Sequence, residues 1–546
     1  MTASDIGLTV ALTVFAIISA APNARRWQLL CATLALICGA ASVFNGEWQA
    51  VPGLVLAPFC VPMILIRRIS QVSCSMVFLL FLITLASALP FWFFPTFGLP
   101  TPDGPYSVGT ISLELTDPER KGLIGRPADE PRRLPVRIWY PAPTSATGLP
   151  APYTGRAQAM SLGSNFGEPW FYYTRLAAIR PHAMRAAAVA AGRWPVVLFN
   201  HGFWSYPEQN TTLAERLASH GYMIVAIGHP GDSVTFRLAD GTRLDPWRGR
   251  ANDRDAGKAL EDGIAAFMGG STEDARFAGL NRFDAGSAGH RINDSAHAWR
   301  ADNLFVLAAL KKGNTAQVVP TLVREEVSSI LAHADFTHVA VVGMSFGGST
   351  APSACARIPD CRAAINLDGE SFDFSMYNAD FGRPLLVLLT GQPFSSFQYA
   401  DPATNPTDYA YERWAIIGEA SDIFRVRVAS LRHLGLMDLL LSARDPFKSH
   451  LYGTIDADRG IALVNDAVLE FLDRYVKNAR NDFPADFLRR YPEVSLHDAS
   501  HVRRWWLDHN ARLGCSPERV RSVVPVNDTA GMRLGAWARA ASACGP

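Results

Sequence analysis

The sequence predicts an α/β fold, a mostly parallel sheet with helices on both faces, preceded by an all-α transmembrane region of about four helices. Three observations predict it. Residues 6–94 carry almost no charge and contain four long apolar runs. From about residue 194 to 433, short β-branched runs alternate with helical periods. One of those runs, at 336–343, breaks into Gly343-Met-Ser345-Phe-Gly347-Gly348, a serine between glycines at a strand-to-helix turn.

A chain of 546 residues is too long for one ordinary core, so more than one structural unit is expected. The apolar runs at 6–21, 27–44, 51–66 and 72–94 approach the roughly twenty residues that cross a bilayer, and they are separated by short polar breaks. The third holds Pro52, Pro58 and Pro62 and is the weakest of the four. A secretory signal peptide would have a basic start and one short apolar core, whereas this chain opens Met-Thr-Ala-Ser-Asp5 and further spans follow. Arg25-Arg26 separates the first two runs and Arg67-Arg68 the last two, while Asn45-Gly-Glu-Trp-Gln49 has no cation; the positive-inside rule puts both arginine pairs in the cytoplasm and all that follows Phe94 on the exoplasmic side.

Ser345 is the candidate nucleophile. A turn of this kind holds a serine hydroxyl clear of the sheet, and the flanking glycines avoid collisions with the neighbouring strand and helix. The hydroxyl needs a histidine to take its proton and a carboxylate to orient that histidine. Asp368, at the end of the strand-like run 361–367, is the candidate acid, with Glu370 and Asp401 as alternatives. His433, closing the alternating run 424–433, is the candidate base, with His450, His290 and His297 as alternatives. Upstream, the apolar run 194–200 leads into His201-Gly202-Phe203, and the amides of Phe203 and Phe346 are the candidate oxyanion donors; His201 reads as a structural hydrogen-bonding residue. The helical period 213–220 and the buried run 221–228 then complete a βαβ unit.

Taken together, Gly104-Pro-Tyr-Ser-Val-Gly109, Val136-Arg-Ile-Trp-Tyr-Pro141, Asn200-His-Gly-Phe203, Ala218-Ser-His-Gly-Tyr222 and the Ser345 turn resemble the platelet-activating factor acetylhydrolase family of α/β-hydrolases. An acid directly after the strand that follows the nucleophile is also that family's arrangement. The resemblance, over roughly 104–480, implies a calcium-independent serine esterase acting on short or oxidised acyl groups of phospholipids, with Ser345, Asp368 and His433 as triad and no cofactor or metal. The chain departs from the family at Met344, where many relatives have histidine, and in the long polar segment 236–300.

The expected organisation is a membrane anchor at 1–95, a linker at 96–103, a catalytic domain at 104–492 with insertions at 142–192 and 236–300, and a tail at 493–546 packed on the hydrolase. Cys355, Cys361, Cys515 and Cys544 lie outside the apolar runs. In an oxidising compartment, proximity favours Cys355 with Cys361 and Cys515 with Cys544 over the other pairings. No Cys-x-x-Cys or His/Cys cluster suggests zinc, and a net charge of +1 gives no argument for nucleic acid. The expected partners are an ester or lipid substrate and the membrane. Two other readings stay open: a hydrolase of polyesters or lactones, and an inactive membrane sensor or accessory that keeps a hydrolase fold.

Overall fold

A computed structural model describes residues 2–516, apart from 20, 22–23, 66–73, 248–257, 259–261, 264, 286, 314–317, 320–323, 378–379, 393–403, 416–417 and 419–420. Arg67, Arg68, Asp401 and Cys544 therefore lie outside the described residues.

Four helices come first: α1 (Ala3–Ile18), α2 (Arg25–Phe44), α3 (Val51–Leu65) and α4 (Cys74–Phe93). Leu8, Leu12, Phe15, Ala32, Ala35, Ala57 and Phe91 form their shared core, where small residues let the backbones approach. Asp5 is buried there and accepts from Ser42 Oγ at 2.7 Å. Ile6, Ile17, Ile37, Phe59, Phe78 and Leu85 point outward and are more than half exposed, or close to it, with no polar face to match. Among the described residues only α2 is both long and apolar enough to cross a membrane; the other apolar stretches, Ala3–Ile18, Trp48–Cys60 and Val77–Phe93, are shorter than 18 residues. Of the four spans expected, one is thus long and apolar enough among the described residues.

The remainder is built on an eleven-stranded sheet. In chain order its strands are β1 (Ser107–Lys121), β2 (Pro131–Ala142), β3 (Met184–Arg185), β4 (Trp194–Asn200) and β5 (Met223–Ile227); a separate hairpin, β6 (Phe236–Arg237) with β7 (Arg243–Leu244), intervenes. Then come β8 (Val318–Val319), β9 (Ala334–Met344), β10 (Cys361–Leu367), β11 (Leu385–Gln392), β12 (Ile423–Arg432) and β13 (Val494–Leu496). The spatial order is β13-β12-β11-β10-β9-β4-β5-β2-β1-β3, with β8 on β1. From β5 to β12 all neighbours run parallel, and β2, β1 and β13 are antiparallel additions at the flanks.

Strand periodicity divides the core between the two faces. Val197, Phe199, Ile224 and Ala226 point to one side, and Val196, Leu198, Met223, Val225 and Ile227 to the other. Because both faces are covered, the central strands read as continuous apolar runs. The chain steps from β4 outward to β5 and then returns to β9 on the other side of β4. The carboxyl ends of β4 and β9 therefore flank a topological switch point, where open α/β sheets place their crevice.

The insertions add helix Arg156–Asn165 and the edge strand β3 before β4, then helices Glu273–Ala285 and Ser287–Lys311 after β5. Beyond residue 492 the chain supplies β13 and helix Ser500–Leu513. His497 lies 2.7 Å from Asp408, and Trp506 is buried, so this part of the tail is integral to the fold. A disulfide joins Cys355 to Cys361.

Candidate active site

Ser345 stands between β9 and helix Phe346–Cys355 with φ 57° and ψ −122°. Non-glycine residues rarely hold a positive φ, and the surroundings impose it here. Its N–H donates to Leu367 O on the adjacent β10 at 2.8 Å, and its carbonyl accepts from Ser349 N. Gly347 is what permits the turn: a Cβ there would lie 2.1 Å from Asn200 O at the end of β4. The helix consequently begins at Phe346, directly after the serine.

Asp368 follows β10 by one residue, with φ 57° and its N–H donating to Leu388 O at 2.7 Å. His433 follows β12 directly. These three strand ends converge. His433 Nδ1 is 2.8 Å from Asp368 Oδ2, and His433 Nε2 is 2.8 Å from Ser345 Oγ. With the ring proton on Nδ1, the imidazole donates to the carboxylate and accepts from the serine hydroxyl. Thr390 at the end of β11 holds the carboxylate from the far side, donating from N at 2.9 Å to Oδ1 and from Oγ1 at 2.7 Å to Oδ2. Burial acts to raise the Asp368 carboxyl, but His433 and these Thr390 hydrogen bonds outweigh it and hold the group below the ordinary carboxylate range.

The three residues meet at a cavity of about 570 Å³, lined on its apolar walls by Phe166, Phe203, Trp204, Phe346, Phe372 and Met437. Phe203 lines the same cavity as Ser345, and Phe346 follows Ser345 directly in the chain. Phe346 opens its helix, where an N–H has no acceptor within the helix. The two rings pack at 5.2 Å. Among the alternatives, Glu370 lines the same cavity but does not bond His433 in the arrangement above. His297 faces Asp373 at 3.6 Å, and His450 lies in the short helix Phe447–Leu451, outside the cavity wall. The side chain of His290 lies outside the described residues.

His201 is fully buried. Its Nδ1 sits 2.7 Å from Gly202 O and its Nε2 accepts from His229 N at 3.3 Å; burial, then the nearby His229, hold it well below the ordinary histidine value. It is thus a neutral structural residue of the turn. His229 in turn lies 2.8 Å from Asp302, which pairs with Arg132 at 2.7 Å and Arg120 at 2.8 Å, and it stacks on Trp299 at 3.9 Å. This buried network fixes the floor beneath the turn that carries Phe203.

A sequence profile of the family described as platelet-activating factor acetylhydrolase, isoform II, matches residues 92–245, a stretch that includes the Phe203 turn and stops before Ser345. Among solved structures, a ferulic acid esterase from Streptomyces cinnamoneus matches with a TM-score of 0.51 at 22% identity, covering 73% of this chain and 99% of that one. The chain is similar to that family over residues 92–245, and its fold is similar to that of the esterase. No curated protein matches the chain.

Several residues that shape the site carry no sequence signal. Gln209 Oε1 accepts the Gly202 N–H at 2.8 Å and so fixes the turn next to Phe203; its Nε2 donates to Asn210, whose Nδ2 donates to Leu436 O at 2.6 Å in the loop after His433. Asn366 accepts from Gly369 N at 2.7 Å and donates to Gly369 O at 2.8 Å, bracing the turn that carries Asp368. A glutamine or asparagine at these positions looks like any polar loop residue; only proximity in the fold gives it work. Among the described residues no group of three or more metal-ligating side chains is found.

Proposed function

We propose that the protein is a membrane-anchored serine esterase that cleaves carboxylic esters through an acyl-serine intermediate. The observation that carries this reading is the chain of contacts from Ser345 Oγ to His433 Nε2 and from His433 Nδ1 to Asp368, at 2.8 Å each, on the floor of an apolar cavity. In the proposed cycle His433 takes the Ser345 proton as Oγ attacks the ester carbonyl, and the amides of Phe203 and Phe346 donate to the oxyanion. His433 then gives the proton to the leaving alcohol, and water repeats the sequence in reverse to release the acid. Asp368, kept ionised, holds the Nδ1–H tautomer and stabilises the imidazolium.

Short or oxidised acyl chains of phospholipids are the proposed substrates, in keeping with the family profile and with a cavity of a size that encloses a small ligand. A second reading, esters of aromatic acids, draws support from the phenyl-rich lining of Phe166, Phe203, Phe346 and Phe372 and from the esterase named among the structural matches. The residues 1–95 would anchor the hydrolase at the exoplasmic surface.

Ser345→Ala should lower turnover of p-nitrophenyl esters by on the order of a thousandfold or more while leaving the melting temperature in place. The same variant should lose labelling by a fluorophosphonate probe that marks the wild type. A variant that keeps a tenth of wild-type turnover sinks the assignment.

A further inference from the structure

The bundle meets the hydrolase through a tightly packed joint. Trp48, in the loop after α2, donates from Nε1 to Tyr172 O at 2.9 Å, and its ring stacks on Tyr172 at 6.0 Å and packs against Phe94 at 5.7 Å. Thr174 Oγ1 donates to Gly46 O at 2.5 Å, and a Cβ at Gly46 would lie 2.6 Å from Thr174 O, so the two chains are in close contact there. The fully buried Arg175 donates to Tyr172 O and, at 3.0 Å, to Ser442 O; its guanidinium lies 5.8 Å from the Phe94 ring. One side chain therefore touches the end of the bundle, the segment at 172 and the region just after His433.

That segment is also the cavity wall. Asn165, Phe166 and Gly167 line the cavity, Phe166 meets Tyr173 edge-on at 6.3 Å, and Asn165 Nδ2 donates to Trp204 O at 2.9 Å, one residue past Phe203. The wall is thus tied at one end to the oxyanion turn and at the other to the bundle. Between the ties, Trp170 and Phe171 are exposed.

We propose that the bundle loop at Gly46–Trp48 is a specificity-determining element of the acyl pocket, acting as a positioning device through the wall at 165–175. The inference rests on the esterase reading above. An acetyl group bound at Ser345 is small enough to stay within reach of the oxyanion donors alone. A longer chain must lie along Phe166, whose place depends on whether Tyr172 and Tyr173 are held by Trp48. Loosening the joint costs binding of long acyl chains more than it costs the chemistry at Ser345, because Ser345, Asp368 and His433 sit at the ends of β9, β10 and β12, whereas the joint bonds to Gly46, Tyr172 and Ser442.

The experiment compares full-length wild type, Trp48→Ala and Trp48→Phe in detergent micelles, with kcat and KM measured on p-nitrophenyl acetate and p-nitrophenyl octanoate. Trp48→Ala should lower the octanoate-to-acetate ratio of kcat/KM at least threefold, chiefly through KM for octanoate, and Trp48→Phe, which keeps the ring and loses only the N–H, should recover part of it. A smaller change in the ratio, or an equal loss on both esters such as general destabilisation gives, overturns the inference. If Trp48→Ala does not fold, the ratios of Trp48→Phe and Gly46→Ala decide by the same threshold. A wild type that turns over both esters with a ratio unmoved in the variants overturns this inference alone, whereas a wild type that turns over neither overturns the esterase reading and this inference with it.

Discussion

Thr390 holds Asp368 with two donors, and only one of them is a side chain. Thr390→Val keeps the backbone N–H and the volume but removes the 2.7 Å hydroxyl bond, so the carboxylate loses part of what keeps it ionised and aimed at His433. Turnover should fall by about tenfold, in line with the loss of one supporting hydrogen bond of about 1.5 kcal/mol to a charged group, with KM little changed. Steady-state kinetics check this, and undiminished kcat would argue that the backbone bond suffices. Asp438 behaves in the opposite sense. Burial pushes its carboxyl up to about 7, although Thr212 and Tyr153 donate to it. The unfolded chain keeps the ordinary value near 3.8, so between about 4 and 7 the folded state holds the extra proton and stability falls as pH rises across that window. Thermal melts at pH 5 and 8 should therefore differ more for wild type than for Asp438→Asn. At this scale the sequence placed Ser345, Asp368 and His433 at the ends of strand-like runs, and the structure brings these three side chains within hydrogen-bond reach of one another. The sequence was silent on Gln209, Asn366, Thr390 and Asp438, whose roles come from neighbours more than 20 residues away or from local turns that any polar residue could make.

Element boundaries follow the same logic. The apolar runs before Ser345 and Asp368 are strands buried on both faces, where burial removes polar alternation, whereas the strand before His433 keeps the alternation seen in its sequence. The tail was not legible: Val494-Ser-Leu496 is too short to carry a period, and it becomes a strand because β12 offers it an edge. The linker expected at 96–103 is likewise more ordered than its prolines suggest. Thr96 Oγ1 donates to Glu47 at 2.9 Å, Asp103 pairs with Arg216 at 2.9 Å, and Gly104 N donates to Ser219 Oγ at 3.1 Å. The disulfide between Cys355 and Cys361 joins the end of the helix behind Ser345 to the start of β10. Closing so short a loop stabilises by about 2 kcal/mol in the chain-entropy view. The paired change Cys355→Ala with Cys361→Ala should lower the denaturant midpoint with an unchanged slope. Non-reducing peptide mapping of freshly isolated protein should recover the joined peptides, and two alkylatable thiols there would argue against an oxidising compartment.

At the scale of the whole molecule, the bundle and the hydrolase share an aromatic boundary. Phe94 packs on Phe447 at 4.8 Å and on Tyr172 at 5.5 Å, Phe93 meets Phe447 at 5.4 Å, and Arg444 lies 4.3 Å from the Trp92 ring while its N–H donates to Phe93 O. Trp92, Phe93 and Phe94 close the last apolar run, where interfacial aromatics belong, but nothing in the order of residues could say that Tyr172 and Phe447 would pack against them. A chain beginning at Leu99 keeps every strand and the three residues at the site, yet uncovers Tyr172 and Phe447. It should melt several degrees below the full chain and bind a hydrophobic dye that the full chain in micelles does not; equal melting temperatures would mean that the joint adds no stability.

The place of β4 in the sheet bears on how the protein is made. This strand pairs with β5 on one side and β9 on the other, and β9 begins only at Ala334. During synthesis at roughly 5–20 residues per second, β4 and β5 emerge on the order of five to thirty seconds before the strand that closes the open side. Through that interval Val196-Val-Leu-Phe199, among the most apolar stretches outside the bundle, presents an unpaired parallel edge. The half of the site that holds the Phe203 turn is thus left with an open strand edge during synthesis, and a nascent chain stalled before residue 334 should aggregate more readily than the full chain.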